Sequence, residues 1–288
     1  MELIASIRTV GRWLAATAGV GFACLCYLYL TLPDVRPLKT SNPATTAFIE
    51  LRAREARARG EKPRRMQQWV TYRSMSRNLT RAVLAAEDDG FWQHEGLDFD
   101  QLQESLEADW ASGRFIRGGS TITQQLAKNL YLSPSRNPLR KLKELMIARR
   151  LEAELDKSRI LELYLNVIEW GDGIYGAEAA ARTYFHVGAA SLGPAESAIL
   201  AGAIVNPRVL NPARPNARLL RRQSIIMRRM SSVTPPPAVE VVAPPPPPAD
   251  AVPPSEGAAT DSSAPSYEVT PEPDSPQEPV TDPNAVSQ

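Results

Sequence analysis

Two stretches of this chain carry residue types suited to acid–base and anion chemistry. The first is Glu87-Asp88-Asp89-Gly90, followed by Phe91, Trp92, His94 and Gly96. Residues 78–87 have the pattern of a helix with Ala82, Val83 and Ala86 on its apolar side. Three acids therefore fall at a helix C-terminus, where the dipole opposes negative charge. Propensity and capping give no reason for that placement, whereas a general base needs such a carboxylate. The helix end should make Glu87 more basic, and nearby cations should oppose that shift. The plain alternative is a polar turn with Phe91 and Trp92 in the core.

The second stretch is Arg117-Gly-Gly-Ser-Thr-Ile-Thr-Gln-Gln-Leu-Ala-Lys-Asn129. A glycine-rich turn that opens a helix exposes backbone donors and the positive dipole end, which suits a phosphate-type anion. Ser120 is placed to cap the helix. Thr121, Gln125 and Lys128 then share one face, while Ile122, Leu126 and Leu130 share another and can face a core. Arg117 and Lys128 add positive charge. Taken alone, this sequence is equally that of an ordinary capped surface helix.

The remaining elements must position these groups. A helix is expected over 46–59, with its arginines on the polar side. Ser133 to Pro138 breaks the chain after the second stretch. Residues 140–155 read as a helix on which Arg140, Lys141 and Glu144 share a face, a spacing that usually marks a surface ion pair worth ~0.3–0.5 kcal/mol. Ser158 is the expected cap of a helix over 159–170 that is apolar nearly all round, hence central and buried. Gly171, Gly173 and Gly176 punctuate a turn. Gly193-Pro194 opens a helix running to Val205, and residues 216–230 form a last, basic helix with Arg221 and Arg222. No alternating strand pattern of useful length occurs. The expectation is a mainly α body, residues 45–232, in one domain.

Charge is uneven along the chain. Residues 233–288 hold nine acids, no Lys or Arg and 16 of the 26 prolines, including Pro244–Pro248. Such a segment has no core-forming pattern and is expected to be a disordered acidic Pro-rich tail. The other 232 residues carry all 33 basic side chains against 23 acids, a balance that suits anionic partners such as membrane lipid. No nucleic-acid recognition motif is present. Trp13 to Leu32 is a run of 20 uncharged residues, long enough as a helix to cross ~30 Å of bilayer core. It reads as a transmembrane anchor following a short cytoplasmic segment, residues 1–12, with residues 33–44 as a linker. Cys24 and Cys26, the two cysteines, lie inside this run and supply neither a disulfide framework nor a zinc site.

Together the motifs resemble the peptidoglycan glycosyltransferases. Glu87-Asp88-x-x-Phe91-x-x-His94-x-Gly96 is similar to the family's first signature and Gly119 to Asn129 to its second. Arg140-Lys141-x-x-Glu144 is similar to the third, Ile160 to Asn166 to the fourth, and the Arg221-Arg222 helix to the fifth. The resemblance covers residues 45–232, and only 56 residues follow, too few for a transpeptidase domain. It looks like the monofunctional kind.

The resemblance implies a lysozyme-like fold with a larger lobe and a small membrane-proximal jaw. It implies polymerisation of lipid II, with the growing glycan chain as donor, on the outer face of the inner membrane. Glu87 would be the catalytic base and Glu144 the second catalytic glutamate. Lys128 and Arg136 would contact the diphosphate, with Arg117, Arg140 and Lys141 extending the cluster. Asp88, Phe91, His94, Ser120, Thr121, Gln125 and Asn129 complete the substrate-binding set. No cofactor is obligatory by this reading, and a divalent ion, Mg2+ or Mn2+, near Glu144 is left open. The tail is a candidate for recruiting cell-wall synthesis or division proteins.

Overall fold

The computed structural model describes residues 2–98, 103, 119–133 and 138–233. The Pro-rich tail beyond Val233, Arg117 and Arg136 lie outside the described residues. Nine α-helices occur among the described residues: α1 (Glu2–Leu30), α2 (Ala47–Ala58), α3 (Arg77–Glu87), α4 (Ile122–Tyr131), α5 (Pro138–Glu154), α6 (Lys157–Val167), α7 (Ala177–Phe185), α8 (Pro194–Ala203) and α9 (Ala217–Arg229). The fold is mainly α. In α1 the stretch Gly11–Leu30 is long and apolar enough to cross a membrane.

Side-chain caps set where most of these helices begin, by satisfying backbone N–H groups that have no partner in the first turn. Thr46 accepts from Ile49 N, Ser76 from Asn78 N and Asn216 from Leu219 N. Two starts differ from expectation. Asp156, not Ser158, caps α6 by accepting from Arg159 N at 2.7 Å. A carboxylate adds charge to the same geometry, and it starts the helix two residues earlier. Thr121, not Ser120, caps α4 by accepting from Gln124 N. Ser120 instead accepts from Lys141 Nζ at 3.1 Å.

A small sheet that no periodicity betrayed joins the ends of this framework. β1 (Met66–Gln67) pairs parallel with β3 (Ile174–Tyr175), and β2 (Glu169–Gly171) pairs antiparallel with β3 across an irregular register. Trp170, expected in a helix, lies in β2. Gly176 turns the chain from β3 into α7 with φ of +82°, and a Cβ there would stand 2.8 Å from the Asn166 carbonyl oxygen. The position therefore excludes a side chain on two counts.

A main hydrophobic core runs through the body, with a smaller cluster of Ile199, Ala203, Leu210 and Leu219 beside it. The main core includes Leu79, Val83, Phe91, Ile122, Leu126, Ile147, Leu151, Ile160, Tyr164 and Trp170, all fully or almost fully enclosed. As expected, α6 is enclosed on most sides. Its last turn is fixed by Asn166, whose side chain accepts from Val70 N at 3.0 Å and donates to Val70 O at 2.8 Å. The segment after α1 is not a loose linker. Leu32, Val35 and Leu38 join the main core around a short 3-10 turn, Arg36–Lys39. Arg159 Nε donates to Leu38 O at 2.8 Å, and Lys39 pairs with Glu154 at 2.7 Å.

Candidate active site

Glu87 ends α3, and Asp88 follows as its C-cap. The two neighbours face different surroundings. Asp88 is enclosed and holds the loop: it accepts from Ile122 N at 2.8 Å, at the start of α4, and from His94 Nε2 at 2.9 Å. Gly96 N donates to His94 Nδ1 at 3.1 Å, so the ring proton sits on Nε2 and a neutral imidazole satisfies both contacts. Thr121 Oγ1 and Gln124 Nε2 both donate to Gly96 O, at 2.8 and 3.3 Å. Phe91 is fully buried beneath, with the Lys157 ammonium 4.4 Å from its ring centre. Asp88, Phe91, His94 and Thr121 thus tie the two sequence stretches into one frame.

That frame presents Glu87 to α4. Gln125 Nε2 donates to Glu87 Oε2 at 2.9 Å, and Tyr164 of α6 donates to the other end of the same amide, Gln125 Oε1, at 2.9 Å. Burial among protein atoms pushes the Glu87 carboxyl above its ordinary value. The Gln125 hydrogen bond and the charges of Arg222 and Lys128 oppose that shift, and Asp88 adds to it. Burial outweighs the cations, a balance that residue types alone leave open.

Lys128 lies one turn beyond Gln125 on α4. Its ammonium is pulled down from the ordinary lysine value by burial first; Glu144 and Glu87 oppose this, while Arg140 and Lys141 reinforce it. Asn129 holds its own helix, donating to Gln125 O at 2.8 Å.

Across from α4, Glu144 of α5 is enclosed between two cations. Arg140 Nη1 reaches its Oε2 at 2.8 Å and Lys141 Nζ its Oε1 at 2.5 Å. Lys141 also donates to Gln124 Oε1 at 2.9 Å, which joins α5 to α4. The pair is far from a mere surface contact, since the Glu144 side chain is 4% exposed. Both of its oxygens are committed to cations, and among the described residues no second carboxylate joins them in a ligand cluster. Among the described residues, the ligand atoms that cluster within 4.8 Å are those of Asp88, His94 and Asp98. There the His94 ring nitrogens face Asp88 and Gly96 N, leaving no lone pair for an ion. As their described residues stand, neither place is arranged to hold a resident divalent ion, and no step below uses one.

The structure thus brings Glu87, Gln125 and Lys128 together on one side and Arg140, Lys141 and Glu144 on the other, with Ser120 between α4 and α5. Sequence reasoning missed Gln124, Tyr164 and Arg222 as members of the site. Gln124 sits beside an already chosen residue, Tyr164 counts as apolar in a periodicity, and only the doubled arginine marked the last helix.

The arrangement, a buried carboxylate beside a cationic belt on a helical body, agrees with the class of protein that the family match gives, a transglycosylase. Residues 55–231 match the family model described as Transglycosylase, and the chain belongs to that family. It is 48% identical over 203 residues to the biosynthetic peptidoglycan transglycosylase of Azoarcus sp. (strain BH72), covering 70% of this chain and 88% of that protein. It is 47% identical over 221 residues to the protein of the same name from Dechloromonas aromatica (strain RCB), covering 76% of this chain and 95% of that protein. The match to the Aromatoleum aromaticum counterpart is 52% identical over 167 residues, 58% of this chain and 73% of that protein.

Proposed function

We propose that this chain is a peptidoglycan transglycosylase that polymerises lipid II into linear glycan strands. The observation that carries this reading is the placement of Glu87 one hydrogen bond from Gln125, with Lys128 on the next turn of the same helix. The acceptor is the GlcNAc 4-hydroxyl of lipid II, which must lose a proton as it attacks. Glu87 accepts that proton. C1 of the growing chain inverts, and the polyprenyl diphosphate leaves with the bonding pair. Its developing charge calls for preorganised cations. Lys128, Arg140 and Lys141 supply them here, and Arg117 and Arg136 are assigned to the same diphosphate by resemblance. Glu144 holds Arg140 and Lys141 in register and needs no metal to do so. The chain sits in the inner membrane through α1, with the body on the outer side.

A glycan-cutting reading draws on one observation, the raised Glu87 carboxyl, since a hydrolase needs a protonated acid. The cations beside Glu87 have no role in that chemistry. Purified full-length protein is given lipid II, with and without EDTA, and separately given finished glycan. Polymer from lipid II in both conditions is the expected result. Fragments released from glycan, with no polymer formed, would refute the proposal.

A further inference from the structure

Tyr164 belongs to α6 and its side chain is fully enclosed, yet its hydroxyl does more than fill the core. It donates to Gln125 Oε1 at 2.9 Å, while Gln125 Nε2 donates to Glu87 Oε2 at 2.9 Å. A primary amide has one accepting and one donating end, and which end meets Glu87 depends on what holds the other. A phenol hydroxyl is a donor in need of an acceptor. Aimed at Oε1, it turns the NH2 group towards Glu87. The flipped amide would set its oxygen against the Glu87 carboxylate. It would also strand the Tyr164 proton in an enclosed space, which is unfavourable on both sides.

We propose that Tyr164 is a positioning residue for the base: by fixing the orientation of the Gln125 amide, it keeps an N–H donor on Glu87 and holds that carboxyl ready to accept the proton of the attacking hydroxyl. The inference rests on the reading of Glu87 as the base of lipid II polymerisation. The other groups facing Glu87 are Lys128 on the same helix as Gln125, Arg222 on α9 and Asp88 next in the chain. They act through space and do not depend on the amide. Burial raises the Tyr164 hydroxyl well above the ordinary tyrosine value, so it remains a protonated donor over the working range. When Glu87 takes the substrate proton, its bond from Gln125 weakens. When the proton leaves, the bond is restored without any rotation of the amide.

Tyr164→Phe removes only the hydroxyl. In the full-length, membrane-anchored protein, steady-state polymerisation of lipid II is followed from pH 5 to pH 9. The expected result is a KM within about twofold of wild type and an acid limb of kcat moved up by about one pH unit, so that kcat falls about tenfold on that limb and the deficit closes at high pH. Gln125→Met breaks the same relay from the solvent side and should move the limb the same way. Combining the two should add no further shift. The proposal is overturned if the Tyr164→Phe limb overlays that of wild type, or if Tyr164→Phe moves the limb equally in the Gln125→Met background. A wild-type protein that makes no polymer from lipid II refutes the functional reading itself, and this inference with it.

Discussion

Replacing Asp88 by Ala should destabilise the body far more than an ordinary acid-to-alanine change in a loop. The carboxylate is enclosed and holds two partners, His94 Nε2 at 2.9 Å and Ile122 N at 2.8 Å. Each hydrogen bond to a charged group contributes about 1.5–3 kcal/mol, and each loss leaves a buried donor unpaired. The expected loss is about 3–5 kcal/mol, in line with breaking other buried charged contacts. In a domain of this size, 1 kcal/mol moves the melting temperature by roughly 2–4 °C. The variant should therefore melt about 6–20 °C below wild type. Tryptophan fluorescence in detergent reports it directly, since Trp92 packs beside Phe91 and Trp170 is fully buried. Asp88→Asn keeps one acceptor and should lose about half as much. A fall of under about 3 °C for Asp88→Ala would show that the frame between the loop and α4 does not depend on Asp88.

Glu87→Gln should lower kcat by about 10²–10⁴-fold with no loss of fold. Its stability should also depend on pH. Between the usual glutamate value and its raised value in the fold, Glu87 keeps a proton that the unfolded chain has lost, so wild-type stability falls as pH rises through that window. The variant lacks this cost, so its melting temperature should gain on wild type as pH rises from 4.5, and a difference that is flat with pH would count against the raised value. Glu144→Ala leaves Arg140 and Lys141 without the carboxylate between them and should raise KM for lipid II as well as lower stability by about 3–5 kcal/mol; a kinetic change without a melting change would contradict the enclosed pairing. Gly176→Ala forces a side chain into a positive-φ position against the Asn166 carbonyl and should cost about 1–3 kcal/mol, read by denaturant unfolding.

Much of this framework is legible in the chain because helices announce themselves locally. Among the described residues the 3.6-residue apolar pattern found the bulk of every helix but α7, whose alanine-rich sequence was read only as small residues suited to close contact, and Thr46, Asn216 and Gly193-Pro194 marked starts correctly. The misses have physical causes. Ser120 and Thr121 are both good caps, and the choice between them was made from outside the helix, by Lys141 on α5 and Gly96 O. Asp156 outcompeted Ser158 because its carboxylate adds charge to the same capping geometry. The strands of two and three residues are too short to show alternation, and their pairing is long-range. At the site, the chemistry-bearing residue types were visible in sequence. The sign of the Glu87 shift was not, because burial is a property of the packed body and not of any one segment.

The segment that follows α1 has a mechanical consequence. A catalytic body on a slack tether swings and spins, and must find its orientation anew at each encounter. Here Leu32, Val35 and Leu38 are part of the same packed interior that holds α3 and α4. For a chain held in a bilayer by α1, this packing ties the site directly to the end of the anchor and limits how far it can stray from the lipid surface. Substrates that diffuse in that plane then meet it there, and the search for a productive encounter is reduced to two dimensions.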